Sequence, residues 1–324
     1  MLRTIGRIIR ALRSNNLRED TAWHDPELPP VEEKVRAGDI EAGRRLLAGA
    51  QGDHELRALR VGRLSKQAIG NVDALARLST ERPDDADLAL LLGATRIKQA
   101  WQVRTGAMAA DVSREQFESF WFLLGGVYDP LVRAAELRPD DPTPWDQLQW
   151  RGLGLQVDRA ELDDVWHELH SRNSVHYASH FSRVQVLCAK WQGSNDEVLE
   201  FATSAAGAAP PGEPLGAILV AAHLEVMIDK EVDPYLYFGS RSVRNQITQH
   251  ADDWIANLRP HVRTPEAHHL YGAALYLAGD HDRARRHLAE VSSTSVPNRL
   301  PWEPLSYYGP ALQYRAVRKT LDLP

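Results

Sequence analysis

A glycine followed by a polar residue and then by an amphipathic stretch occurs three times in this chain. The steps are Gly38-Asp39, Gly193-Ser194 and Gly279-Asp280. Glycine favours the end of a helix, and an aspartate or serine directly after it can cap the start of the next helix. The pattern therefore predicts an all-α fold of stacked helical hairpins joined by tight turns.

A second mark, Arg-Pro-Asp-Asp, occurs at residues 82–85 and again at residues 138–141. Proline does not continue a helix and aspartate is a favoured N-cap, so each mark predicts a boundary between two helices. Two further helix starts are predicted. Ser194 and Glu197 have the spacing of a capping box, and Thr143 is an N-cap residue followed by Pro144 at the first helical position.

The composition supports a folded core and excludes several classes of protein. Hydrophobic residues make up 43% of the 324 residues, and a net charge of −6 argues against a nucleic-acid partner. No apolar stretch of the sequence reaches the roughly 20 residues that a membrane span needs. The single cysteine, Cys188, excludes an internal disulfide framework, so we expect a cytoplasmic location.

The first 30 residues differ from the rest of the chain. Residues 1–13 are basic and place their apolar residues on one helical face, and residues 14–30 read as a linker that ends in Pro29-Pro30. We interpret residues 1–13 either as a cap on the first hairpin or as a helix that contacts a membrane surface. Residues 31–324 are expected to form a single helical-repeat domain, with a Pro/aromatic-rich segment at 297–310.

Parts of the chain resemble the tetratricopeptide-repeat (TPR) family. Gly272, Gly279, Ala284 and Pro139 stand where hairpins of that family carry a small residue, an inter-helix glycine, an alanine and a turn proline. The resemblance implies a TPR-like α-solenoid with a concave groove. The two Arg-Pro-Asp-Asp marks begin 56 residues apart, whereas a TPR unit has about 34 residues. An insertion or an extra helix is therefore expected between them, over 101–128.

A second resemblance covers a shorter stretch of the chain. Trp191, Gly193 and Ser194, followed by Phe201 and Ala202, are similar to a motif of a bacterial family of helical-repeat proteins of unknown function. That resemblance implies a helical-repeat fold and carries no activity with it.

The helix predicted over 174–191 holds the best candidate site. His176, His180 and Arg183 share a face beside its apolar stripe, and Trp150 lies off the stripe of its own helix. We expect these four side chains to be exposed in the groove and to bind a protein segment or ligand. On that basis, Arg183→Ala should weaken binding with little loss of stability.

The same region supports an alternative interpretation. An i,i+4 histidine pair can bind zinc, and four histidines would supply enough ligands: His167, His170, His176 and His180. The competing interpretation is a polar helix flank that makes ordinary hydrogen bonds.

Sequence motifs for the common enzyme classes are missing. The sequence has no phosphate-binding loop, nucleophile elbow or dinucleotide fingerprint. We therefore expect a non-catalytic interaction module without a cofactor, which binds a protein or peptide partner. The alternative is a metal-dependent protein or enzyme that uses the four histidines. The aromatic and basic stretch 235–244 is interpreted as a loop between repeats and not as a nucleic-acid site.

Overall fold

Helices account for most of the described chain, which confirms the all-α prediction. The computed structural model describes residues 18–19, 25–104, 112–297, 300–306 and 309–324. The helices are α1 (Leu28–Arg36), α2 (Ile40–Ala48), α3 (His54–Ala68), α4 (Val72–Glu81), α5 (Ala86–Arg104), α6 (Arg114–Gly125), α7 (Tyr128–Leu137), α8 (Thr143–Leu155), α9 (Arg159–Arg172), α10 (Tyr177–Leu187), α11 (Asn195–Ala208), α12 (Ile218–Asp229), α13 (Pro234–Gly239), α14 (Arg241–Ala256), α15 (Thr264–Leu277), α16 (His281–Ala289) and α17 (Pro310–Thr320). A two-residue parallel pairing joins β1 (Arg18–Glu19) to β2 (Ser295–Val296).

Two of the three glycine–polar steps join consecutive helices as predicted. Gly38 and Gly279 have φ angles of 104° and 77°, in the left-handed region that favours glycine. The next residue in each case caps the following helix: Asp39 accepts a hydrogen bond from Ala42 N at 3.0 Å. Asp280 caps α16 in the same way. A helix can therefore end and the next begin without an intervening loop.

The third step, Gly193-Ser194, works differently. A Cβ at Gly193 would lie 2.0 Å from the carbonyl oxygen of Leu187, so this glycine is required by close backbone approach. Ser194 Oγ accepts a hydrogen bond from Glu197 N at 3.1 Å, which is the serine half of the predicted capping box. The Glu197 carboxylate contacts the Arg159 guanidinium.

The helices pack into two compact units, one of residues 25–197 and one of residues 198–324 with β1. In the first unit α5 packs against α3, α4, α6 and α7, and in the second α15 packs against α13, α14 and α16. A helix surrounded on several sides has to be apolar over most of its surface. The single domain expected over 31–324 and its solenoid stacking stay predictions.

Three glycines allow close approach between packed helices. In each case a Cβ added to the glycine would overlap a leucine of the neighbouring helix; at Gly93 it would lie 2.4 Å from Leu131 Cδ2. The pairs are Gly93 with Leu131, Gly152 with Leu162, and Gly272 with Leu288. The small residue expected at Gly272 therefore has the packing role that the sequence predicts.

Both ends of the described chain show how proline is accommodated. Helix α1 begins at Leu28, so Pro29 and Pro30 belong to its first turn and not to the predicted linker. In the segment 297–310, Trp302 is fully buried and donates to His269 Nδ1 at 3.2 Å, so this part packs onto the second unit.

The basic residues 1–13 lie outside the described residues. No helix in the described part of the chain is long and apolar enough to cross a membrane.

The glycine–leucine contacts generate a stability prediction. Gly93→Ala is expected to destabilise the first unit by about 1–3 kcal/mol, because the added methyl group would overlap Leu131. The control is Gly62→Ala, where nothing lies within 4 Å of an added Cβ; it should stabilise by about 0.5–1 kcal/mol. Urea unfolding followed by circular dichroism measures both. Equal effects would contradict the close packing at Gly93.

Candidate functional site

Three of the four predicted groove residues are buried inside the first unit. His176, His180 and Arg183 are 0%, 3% and 5% exposed. The expectation that they are exposed is therefore wrong, because α10 packs against α3 as well as against α8. A helical-face pattern cannot reveal a second neighbouring helix. Their predicted role in ligand binding stays a prediction.

The two buried histidines bind neighbouring protein groups at the start of α10. His176 Nδ1 lies 2.5 Å from Ser179 Oγ, and His176 Nε2 lies 3.3 Å from the carbonyl oxygen of His54. His180 Nδ1 lies 2.8 Å from the carbonyl oxygen of His176. Burial lowers the pKa of His180 to about 4, so this imidazole is neutral at pH 7. The contact between His176 and the His54 carbonyl ties α10 to α3.

Arg183 connects α10 to α9. Its guanidinium donates to the carbonyl oxygen of Leu162 at 3.2 Å and contacts the Asp163 carboxylate. The guanidinium also lies 5.7 Å from the ring centre of Trp166. Burial lowers the pKa of Arg183, and the Asp163 carboxylate opposes that change. These contacts identify Arg183 as part of the packing between the two helices.

Trp150 is half-buried and belongs to a cluster of tryptophans. Its ring centre lies 6.2 Å from that of Trp101, which in turn lies 6.0 Å from that of Trp191. Edge-to-face contacts of this kind are typical of packed interiors. Trp150 and Trp191 both pack against a small apolar core of Leu153, Leu162 and Val186.

The four histidines of the alternative metal site do not come together. His167 and His170 are exposed on α9, whereas His176 and His180 are buried. The ring centres of His170 and His180 are 6.1 Å apart. Among the described residues, no group of three or more His, Cys, Asp or Glu side chains could hold a metal ion. The predicted cluster is not formed, because α9 turns its histidines to solvent while α10 buries its own.

A buried arginine that the sequence patterns did not reveal lies inside the first unit. Arg57 is 2% exposed; its guanidinium lies 2.7 Å from Asp87 Oδ1 and contacts the Asp141 carboxylate. It also donates to the carbonyl oxygen of Leu47 at 3.2 Å. Burial would raise the pKa of Asp141, but Arg57 and hydrogen bonds from Thr143 hold it below its ordinary value. One side chain therefore joins α2, α3, α5 and the turn before α8.

A second polar cluster lies between α8 and α10. Ser182 Oγ donates to Asp146 Oδ1 at 2.7 Å, and Gln149 Nε2 donates to Ser182 Oγ at 2.7 Å. All three side chains are buried. Since buried polar groups need specific partners, this cluster fixes how the two helices align.

The two Arg-Pro-Asp-Asp turns border one cleft of about 610 Å³. Arg82 Nη1 lies 2.5 Å from Glu41 Oε1, and Arg138 Nη2 lies 2.9 Å from Asp87 Oδ2. These arginines are paired with neighbouring carboxylates, so the cleft gives no clear preference for an anionic or a cationic ligand. We assign it no ligand.

Most of the exposed large apolar side chains of the described residues fall in two short stretches of the chain. The 121–128 surface comprises Trp121, Phe122 and Tyr128, which are 45%, 83% and 47% exposed. The 228–236 surface comprises Ile228, Val232, Tyr235 and Leu236, with Leu236 74% exposed. Among the described residues, one further large apolar side chain, Leu258, is also exposed and stands alone.

The exposure of Phe122 in the 121–128 surface could have been predicted from the positions of the apolar residues around α6. Phe120 and Leu124 form the buried side of α6. Phe122 follows Phe120 by two positions, which places it about 200° around the helix. An aromatic residue out of phase with the buried stripe indicates an exposed aromatic side chain. α6 lies within the 101–128 insertion that the sequence predicts.

Comparison of the chain with known protein families, curated proteins and solved structures finds no match. The resemblances to TPR proteins and to the bacterial helical-repeat family stay predictions. Function has to be argued from the exposed and buried groups themselves.

Because Arg183 is buried and bonded to α9, its replacement is now expected to lower stability, contrary to the expectation from the sequence. Arg183→Ala should destabilise the protein by about 1–3 kcal/mol, because it removes the buried donor to the Leu162 carbonyl. Arg159→Ala is the matched control, since Arg159 also pairs with Asp163 but is half-exposed. It should cost less than about 1 kcal/mol. Comparable losses in urea unfolding would contradict the structural role of Arg183.

Proposed function

We propose that this chain is a non-catalytic interaction module that binds a protein segment through exposed apolar surfaces of its helical hairpins. One observation carries the proposal: in the part of the chain that the structure describes, seven of the eight exposed large apolar side chains lie in the 121–128 and 228–236 surfaces. Single exposed apolar residues are ordinary on protein surfaces, whereas local groups of them are typical of binding sites.

Helical packing supports the same proposal. Gly93, Gly152 and Gly272 each receive a leucine from a packed helix. Arginines also bind the proline carbonyls of the two Arg-Pro-Asp-Asp turns, from Arg133 to Pro83 at 3.1 Å and from Arg172 to Pro139 at 2.5 Å. Recurrent contacts of this kind favour a TPR-like repeat array, which supplies surface for partners.

The metal-dependent alternative receives less support. It needs the imidazoles of His176 and His180, which already contact Ser179 Oγ and the His176 carbonyl. The burial of Cys188 is compatible with the cytoplasmic location that belongs to this proposal. Membrane contact through residues 1–13 is a separate hypothesis about residues outside the described ranges.

Affinity purification of three variants tests the proposal. Phe122→Ser and Leu236→Ser alter the two surfaces, and Leu258→Ser alters the isolated exposed leucine. Each change should shift stability by less than about 0.5 kcal/mol, because these side chains have substantial solvent exposure. Proteins retained by the wild type and by Leu258→Ser should be lost from Phe122→Ser, Leu236→Ser or both. If the wild type and the three variants retain the same set of proteins, the proposal is wrong.

A further inference from the structure

We infer that the 228–236 surface binds a cationic amphipathic helix of a partner protein, an inference that rests on the proposed function above. The four exposed apolar side chains of this surface lie within nine residues of chain. An amphipathic helix covers such a surface with apolar residues at i, i+3, i+4 and i+7. The backbone, the charges and the buried anchors of the segment support this assignment.

The backbone of the segment is fixed by the end of α12. Glu231 N donates to the carbonyl oxygen of Ile228 at 3.1 Å, and Val232 N donates to that of Met227 at 3.3 Å. This pair of bonds forms a Schellman motif. Ile228 and Val232 are therefore displayed from an ordered helix end.

Helix α13 displays the other two apolar side chains. The Asp233 carboxylate caps it by accepting from Leu236 N at 3.1 Å. On its inner side Phe238 is fully buried, and the Tyr237 hydroxyl lies 3.0 Å from His223 Nδ1. These anchors hold Tyr235 and Leu236 at the surface. A surface that is already ordered loses little conformational entropy on binding.

An acidic residue occupies a backbone position that favours glycine. Glu231 has a φ of 50°, in the left-handed region, whereas Gly38 and Gly279 occupy the corresponding position at two other helix ends. A glutamate there carries a conformational cost that glycine would avoid. Strain of this kind is often retained where a side chain serves a function.

The charges beside the apolar residues determine the class of partner. Asp229, Glu231 and Asp233 are exposed, and Lys230 is the one basic residue of the segment. Lysine or arginine on a partner helix would complement these carboxylates. The burial of Phe238 removes one aromatic ring that base stacking of a nucleic acid would need.

Fluorescence anisotropy with the full chain tests the inference. The probe is a labelled peptide of about four helical turns with leucine on one face and lysine on the other. Its control has the same spacing with glutamate in place of lysine. The leucine–lysine peptide should bind saturably and more weakly as salt is raised, and the leucine–glutamate peptide should not bind.

Three substitutions locate the binding surface. Leu236→Ser should weaken binding of the leucine–lysine peptide about tenfold or more, because it removes the most exposed apolar contact of the segment. Glu231→Gly should weaken it about 3–10-fold while raising the melting temperature, since glycine relieves the backbone strain. Asp322→Gly is the matched control, because Asp322 has a φ of 51° at another helix end. It should raise the melting temperature without changing binding.

Two results would overturn the inference: no saturable binding of the leucine–lysine peptide, or unchanged affinity in both Glu231→Gly and Leu236→Ser. Failure of the proposed function gives a different result. If the peptide does not bind but Leu236→Ser still loses proteins in affinity purification, the inference is wrong and the interaction function stands.

Discussion

The packing of the first unit depends on the buried guanidinium of Arg57. A buried charge is tolerated only when other charges and hydrogen-bonding groups surround it, and here Asp87, Asp141 and the Leu47 carbonyl do so. These partners come from different helices, so one side chain requires them to pack together. Removing either aspartate would leave part of the buried charge uncompensated. This requirement explains why polar residues occupy positions that a simple helical core would fill with leucine.

Polar groups in both interiors therefore serve packing. In the first unit, Ser182 and Asp146 align α8 and α10. In the second, His268 Nδ1 lies 3.1 Å from His287 Nδ1, and burial lowers the pKa of His287 to about 3. These side chains are buried among protein partners. Among the described residues, the apolar side chains of the 121–128 and 228–236 surfaces are in contrast exposed to solvent.

Local rules in the sequence predicted the helix boundaries better than the site. Gly38 and Gly279 were placed correctly because a left-handed residue at a helix end is a backbone requirement. The hydroxyl cap expected at Thr143 was wrong, because α8 already begins at Thr143 and Pro142 occupies the N-cap position. The exposure expected for His176 failed for a non-local reason, the packing of α3 over α10. A pattern along one helix contains no information about such a neighbour.

Hydrogen–deuterium exchange of the full chain, with and without a partner obtained by affinity purification, tests the central claim most directly. The claim is that binding uses exposed apolar surfaces while the buried polar groups hold the helices together. Partner binding is expected to slow exchange within 114–128 or 226–239. Slowed exchange confined to α8 and α10, around His176, His180 and Arg183, would contradict the account and restore these residues as the binding site.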